Sequence, residues 1–499
     1  MPDVSSAVRE YVCRRVAGLT VTEDKAKNTG EKAAGKVKEG LGKATDDKSL
    51  EAEGQSDQAK GDLKDAGEKV KTISRANARR RPAPVTGPLT TAKDVLGMLG
   101  GLLHDGRLCT LEQLPAVVNR HAARAGLEGT AIYLADLRED VLRELTGCGL
   151  DAGAGGEELP VDGSLAGRAF TLIRTLTSSG GEDGQQRYWV PILDGTRRLG
   201  VLRADGADGA EDVLHYLVSV LGIQLVTKYP FSDAYARLVR SGSMNVAAEM
   251  QWALMPPRAF ASDQVVVAAA MEPTYAVGGD AFDYALADDT LHLAVFDAMG
   301  HDSTAGLTAN LAVAACRNQR RQGVDLATNS ERIEAALIEH FGHSSYATAI
   351  LADLDVRSGE LVWANRGHHP PVLIRGGRWT SILPCPPAHP MGTDLHLPVE
   401  VCREQLEPGD RLLLYTDGVT EARGHDGREF GLTRFTDFIL RSQADGLPVP
   451  ETLRRLMNAI LGYHGGKLQD DATVLFCEWR GPARNLRLSD AGPALRCPR

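Results

Sequence analysis

The chain has 499 residues, too many for a single hydrophobic core, so two or three folded units are expected. A formal net charge of −10 and a sequence pI of about 5.8 argue against a general nucleic-acid binder. No apolar run approaches the ~18–20 residues of a membrane span and no signal-peptide core opens the chain, so a cytoplasmic protein is expected.

Eight cysteines stand at Cys13, Cys109, Cys148, Cys316, Cys385, Cys402, Cys477 and Cys497, with no Cys-x-x-Cys pair. That scatter predicts reduced core thiols, not a disulfide framework or a zinc site.

After an N-terminal extension over 1–22, residues 23–72 contain no aromatic side chain and few large aliphatics, but many Lys, Asp, Glu, Gly and Ala. Such a stretch cannot bury enough apolar surface to offset its ordering entropy, so a disordered or marginally helical segment is expected. The words Gly35-Lys36-Val37-Lys38-Glu39-Gly40-Leu41-Gly42 and Ala59-Lys60-Gly61 resemble the CsbD-like family of small stress-associated proteins. The resemblance implies a stress context and little mechanism. Residues 73–89, with Arg79-Arg80-Arg81-Pro82-Ala83-Pro84 at their centre, read as a basic, proline-ended tether.

Between 90 and 228 a folded unit is expected. Leu111, Leu114, Val117, Val118, His121 and Ala122 recur at helical spacing. Strands are expected over 129–136, 188–192 and 199–203, the last two around the turn 194–198, and a helix over 212–228. This order, with Asp162-Gly163-Ser164-Leu165-Ala166-Gly167 in the middle, resembles a GAF sensory domain. The resemblance implies a small ligand of unknown identity; the alternative is a structural or dimerising module with none. Over 229–257, Leu238, Val239, Met244, Ala248, Met250 and Leu254 predict an amphipathic helix broken or kinked near Gly242. Such a linker, if shared in a homodimer, could pass a rotation or register change onward.

The last large unit, over 258–480, carries four acidic motifs. They are Val277-Gly278-Gly279-Asp280, Phe296-Asp297-Ala298-Met299-Gly300-His301, Tyr415-Thr416-Asp417-Gly418 and Asp470-Asp471-Ala472-Thr473. Each borders a run that reads as a buried strand: 265–270, 291–296, 411–415 and 473–476. Carboxylates presented from strand ends onto one rim suit hard divalent cations. Two such ions about 3.5–4 Å apart can drive in-line attack on a phosphoester. Asp417-Gly418 alone reads as a turn, but an unpaired carboxylate at the end of the apolar run Leu293-Ala294-Val295-Phe296 is costly without a cation.

The order of these motifs, the opening Ala248-Glu249-Met250-Gln251-Trp252-Ala253-Leu254-Met255-Pro256-Pro257 and the turn Asn365-Arg366-Gly367-His368-His369-Pro370-Pro371 resemble the SpoIIE-like branch of the metal-dependent protein phosphatases (PPM family), over about 244–479. The resemblance implies an αββα sandwich, so the chain as a whole is expected to be α+β and multidomain. It also implies two Mn²⁺ or Mg²⁺ ions and a metal-bound water as nucleophile. Asp297 would bridge both ions, with the Ala298 carbonyl on one of them. Asp280 would serve one ion, and Asp417 and Asp470 the other. Asp471 and Asp283 are candidates for supporting these ligands, or are solvated turn residues.

His301, His368 and His369 read more simply as turn residues than as a proton donor or ligands. A second glycine, common in the family after that histidine, is replaced by Asp302, which is expected to cap a helix beginning near Ser303. Helices are expected over 303–322, 433–441 and 451–463, and a hairpin over 346–364. The resemblance implies a phosphatase acting on phosphoserine or phosphothreonine of a regulatory protein, an anti-sigma-factor antagonist in relatives. The alternatives are a catalytically silent binding module and hydrolysis of a small phosphorylated metabolite. No ATP-binding module is expected after Trp479, only a flexible tail over 481–499.

Overall fold

The computed structural model describes residues 91–179, 185–275, 278–300, 302–424, 427–465, 468 and 470–482. The CsbD-like segment, the basic tether, nearly all of the C-terminal tail and His301 lie outside these residues, and so do the expectations placed on them. The chain divides into two units, 1–88 and 89–499.

The second unit opens with one antiparallel sheet that carries helices on both faces. Helix α1, Ala92–Gly106, starts at a reciprocal cap: Thr91 Oγ1 accepts from Asp94 N and the Asp94 carboxylate accepts from Thr91 N. Helix α2 is Leu114–Ala122. The strands are β1 (Glu128–Ala135), β2 (Val141–Leu145), β3 (Glu158–Pro160), β4 (Leu176–Ser179), β5 (Gln186–Asp194) and β6 (Arg197–Gly206), in the order β3-β2-β1-β6-β5-β4. Helix α3, Leu165–Leu172, lies between β3 and β4, and α4, Glu211–Lys228, follows β6. Period-two alternation splits the core. Ile132, Leu134, Leu202 and Ala204 face α1, α2 and α4, while Tyr133 and Val201 face Phe170 of α3.

The expected linker helix is two short helices, α5 (Asp233–Leu238) and α6 (Val246–Leu254). Ser232 and Asn245 cap them separately, and the chain between them is not helical. Leu238 and Val239 pack into the core of the first sheet, so α5 belongs to that part and is no free lever.

The remaining strands form two facing antiparallel sheets. One has the order β15-β12-β11-β10-β9 and the other β14-β13-β16-β17-β8-β7. The first contains β9 (Asp280–Ala287), β10 (Thr290–Ala298), β11 (Ala347–Asp355), β12 (Glu360–Arg366) and β15 (Val401–Gln405). The second contains β7 (Ala259–Ala261), β8 (Val265–Glu272), β13 (Val372–Arg375), β14 (Trp379–Ile382), β16 (Arg411–Tyr415) and β17 (Ala472–Trp479). Helices α7 (Ser303–Arg321) and α8 (Leu326–Phe341) cover one face of the pair. The short α9 (Asp417–Thr420) follows β16, and α10 (Gly431–Ala444) and α11 (Val449–Tyr463) cover the other face. On β17, Leu475 and Cys477 point to the facing sheet while Val474 and Phe476 point to α10 and α11. This is the expected αββα arrangement.

The reduced-thiol expectation fails for one pair: Cys385 and Cys402 form a disulfide, 17 residues apart in sequence. The long return from β14 to β15 brings Cys402, at the edge of the five-stranded sheet, back beside Cys385, which no sequence spacing announces. Cys109, Cys148, Cys316 and Cys477 are free.

Candidate metal centre

Asp280 is the first residue of β9 and Asp297 lies one residue before the end of β10, and the two are direct cross-strand partners. Asp417 begins α9 as the chain leaves β16, and Asp470 and Asp471 precede β17 in the facing sheet. Two neighbouring strand ends in each sheet therefore deliver carboxylates to one rim.

Threonines join the sheets at that rim. Thr416 Oγ1 donates to Asp280 Oδ2 at 2.6 Å and accepts from Thr473 N at 2.9 Å, all three residues buried. Gly279 N donates to the Asp471 carboxylate, and Asp471 N donates to Asp470 Oδ1 at 2.9 Å. The approach is so close that glycine is required. A Cβ at Gly279 would come within 2.3 Å of the Ala298 carbonyl oxygen, and one at Gly418 within 1.9 Å of the Asp471 carbonyl oxygen.

The electrostatics follow from this crowding. Burial, then the charges of Asp417, Asp470 and Asp471, pushes the Asp297 carboxyl up to about 7. Asp280 is raised well above the ordinary carboxylate range by burial and by Asp297 and Asp471, against the opposing Thr416 hydrogen bond. Asp417 is raised by burial and by Asp470, with His369 acting the other way. Among the described residues no hydrogen-bond donor reaches the Asp297 carboxylate. Among the described residues no Lys or Arg forms an ion pair with Asp280, Asp297 or Asp417, and such crowded, mutually repelling oxygen donors fit a divalent cation.

The histidines divide. His368 is buried, and burial followed by its neighbour His369 pushes its pKa down to about 4. As a neutral ring it donates from Nε2 to the Tyr415 carbonyl (3.0 Å) and accepts at Nδ1 from Thr348 Oγ1 (2.7 Å), with Asn365 pinning its backbone. It is scaffold, as expected. His369 stacks on Tyr415 with 5.8 Å between ring centroids. Its ring nitrogen and the carboxylates of Asp417 and Glu421 offer ligand atoms all within 4.8 Å of one another. Sequence reasoning set His369 aside and missed Glu421, although the Asp417-x-x-x-Glu421 spacing on a helical turn was the available signal.

Two further residues resolve. Asp283 sits three positions after Asp280 on the same strand and so on its opposite face. There it is clasped by Arg317 and Arg320 of α7, at 2.7–2.9 Å, away from the rim. Asp302 caps α7, Oδ1 accepting from Thr304 N and Ala305 N.

Residues 287–480 match the family model of Stage II sporulation protein E (SpoIIE). This part of the chain is a SpoIIE-family phosphatase domain. Residues 24–72 match the CsbD-like family model. Over 54 residues the chain is 57% identical to the UPF0337 protein CE1672 of Corynebacterium efficiens, covering 11% of this chain and 93% of that protein. It is 23% identical over 325 residues to Protein IcfG of Synechocystis sp., covering 57% of this chain and half of that protein. To the phosphoserine phosphatase RsbU of Bacillus subtilis it is 19% identical over 273 residues, covering 53% of this chain and 79% of that protein.

Proposed function

We propose that the SpoIIE-family domain is a working protein serine/threonine phosphatase that uses two divalent cations, Mn²⁺ or Mg²⁺. The observation that carries this reading is the meeting of Asp280 and Asp297 from one sheet with Asp417, Asp470 and Asp471 from the other. In this reading Asp297 would help hold both ions, Asp280 and the Ala298 carbonyl one of them, and Asp417 and Asp470 the other. Bound cations would supply Lewis acidity and a water nucleophile at neutral pH.

The chain's own groups set the geometry. Thr416 fixes the Asp280 carboxylate, and the Asp471 carboxylate, held by Gly279 N, ties the Gly-Gly-Asp turn to the start of β17. Hydrolysis consumes one water, breaks the phosphorus–oxygen bond of the phosphoseryl or phosphothreonyl group, and returns the hydroxyl side chain and inorganic phosphate.

The substrate is a phosphorylated regulatory protein, of the anti-sigma-factor-antagonist kind, in a cytoplasmic partner-switching pathway. The module over 90–228 is GAF-like, binds a small ligand and regulates the phosphatase over 258–480 through the linker at 229–257, in a homodimer. The RsbU likeness and the aspartate cluster support the phosphatase half of this statement; the sheet beside it and its contacts with the linker support the regulatory half. The test is Mn²⁺-dependent phosphate release from phosphoserine and phosphothreonine peptides, beside a panel of small phosphorylated metabolites. Turnover of the peptides is expected. Turnover of metabolites alone would redirect the reading to a metabolite phosphatase.

A further inference from the structure

The backbone that presents Asp280 is held from two directions. From the linker, Trp252 Nε1 of α6 donates to the Thr274 carbonyl at 2.8 Å, and Asn245 N donates to the Tyr275 carbonyl at 3.3 Å. Gln251, buried on the same helix, donates to the Asp280 carbonyl and lies 3.4 Å from the Gly278 carbonyl.

From the N-terminal module comes a second grip, through the turn between β1 and β2. Arg138 Nη2 donates to Glu272 Oε2 at 3.2 Å, and its guanidinium lies 5.6 Å from the Tyr275 ring centroid. Glu272, nearly buried, spends its carboxylate on Thr274, accepting from the backbone N (3.0 Å) and from Oγ1 (2.8 Å). Asp136 is itself locked, its Oδ1 accepting from Asp140 N (2.7 Å) and Val141 N (3.0 Å). Its Oδ2 accepts from Ser241 Oγ at 2.9 Å, and Ser241 Oγ in turn lies 2.8 Å from the Tyr275 hydroxyl. An unbroken chain of polar contacts thus runs from the N-terminal sheet to Glu272, Thr274 and Tyr275, a few residues before the carboxylate on the rim.

We propose that Arg138 and the Asp136–Ser241–Tyr275 chain are positioning residues for Asp280, so that breaking either weakens the site's hold on a divalent cation. The inference rests on reading Asp280 as a ligand. None of these residues touches the reacting atoms. They restrict the backbone that carries one ligand, and a ligand held in place loses less freedom when the ion binds.

The experiment uses the full-length chain, with Arg138→Ala, Arg138→Lys, Tyr275→Phe and, as control, Arg357→Ala, whose partner Asp289 lies on an exposed turn elsewhere. Calorimetric Mn²⁺ titration gives the Kd, and hydrogen exchange in EDTA reports protection of residues 272–275 and 278–283. Turnover at saturating Mn²⁺ is compared with the Mn²⁺ concentration for half-maximal rate. A Kd raised at least about five-fold in Arg138→Ala and Tyr275→Phe is expected, with faster exchange confined to that segment. Turnover at saturating Mn²⁺ should be retained, and Arg138→Lys should restore part of the affinity. Variants that keep wild-type Mn²⁺ affinity while the wild type binds Mn²⁺ would overturn this inference alone. A wild type that binds no Mn²⁺ would overturn the phosphatase reading and this inference with it.

Discussion

At the scale of single residues, the site is defined by acidic groups that oppose one another. Asp297 holds its proton up to about pH 7 in the fold but only to about 4 when unfolded. The folded state therefore carries the extra proton between those values, and raising the pH across that window costs the metal-free protein stability. His368, pushed down to about 4, acts the other way below its unfolded value of about 6.5, since unfolding there takes up a proton. Below about 6.5 His368 offsets one proton of this trend, so the loss carried by Asp297, and by the likewise raised Asp280, is least masked between about pH 6.5 and 7.5. The metal-free protein should lose stability with rising pH over that interval, and saturating Mn²⁺ should abolish the trend. The same proton competes with the ion, so Mn²⁺ affinity should drop by up to about ten-fold per pH unit below 7. Thermal melts in EDTA and in Mn²⁺, with titrations at two pH values, check both statements.

At the scale of elements, the sequence was most legible where periodicity was clean. The strand expected at 411–415 is β16 residue for residue, and the apolar run before Asp297 is the body of β10. Asp302 announced a helix start and caps α7. Removing that cap as Asp302→Ala should cost about 0.5–2 kcal/mol of stability, read by denaturant melts, with no change in metal dependence. What was missed had weaker or non-local signals. Helix α8 has an Asp325 cap, but polar Asn329 and Ser330 stand among its buried positions and blur the apolar stripe. The first strand of the aspartate rim, β9, read only as a Gly-Gly-Asp turn, because Asp283 sits in its middle. That carboxylate is tolerated through Arg317 and Arg320, two residues of a helix about 35 positions away in sequence. Arg366 is fully buried on Glu334, Ser330 and the His389 carbonyl, and the Cys385–Cys402 bridge is equally non-local. None of these pairings has a local sequence signature.

At the scale of the whole second unit, the N-terminal sheet is docked on the phosphatase domain by buried charge. Glu451 of α11 is fully buried and accepts from Arg198 of β6 (2.8 Å) and from Arg454 and Arg455 of its own helix. Arg454 also reaches Asp162, and Arg198 reaches Glu139, both in the N-terminal part. Although burial works against its charge, hydrogen bonds from Arg454 and the Arg198 charge hold the Glu451 carboxyl at about 2. Glu451→Ala would take from two buried guanidiniums the carboxylate they share, leaving Arg198 only Glu139 and Arg454 only Asp162, at a cost of up to about 3–5 kcal/mol. The expected outcome is a lower denaturation midpoint with the two parts of the unit no longer unfolding together. An unchanged single transition would contradict it.

If the four aspartates form a cation-dependent phosphatase site, p-nitrophenyl phosphate hydrolysis by the full-length protein in Mn²⁺ and in EDTA, with Asp297→Asn alongside, will show it. Hydrolysis that requires Mn²⁺ and is lost in Asp297→Asn is the predicted result. Hydrolysis that persists in EDTA, or no activity above the Asp297→Asn level, would contradict it.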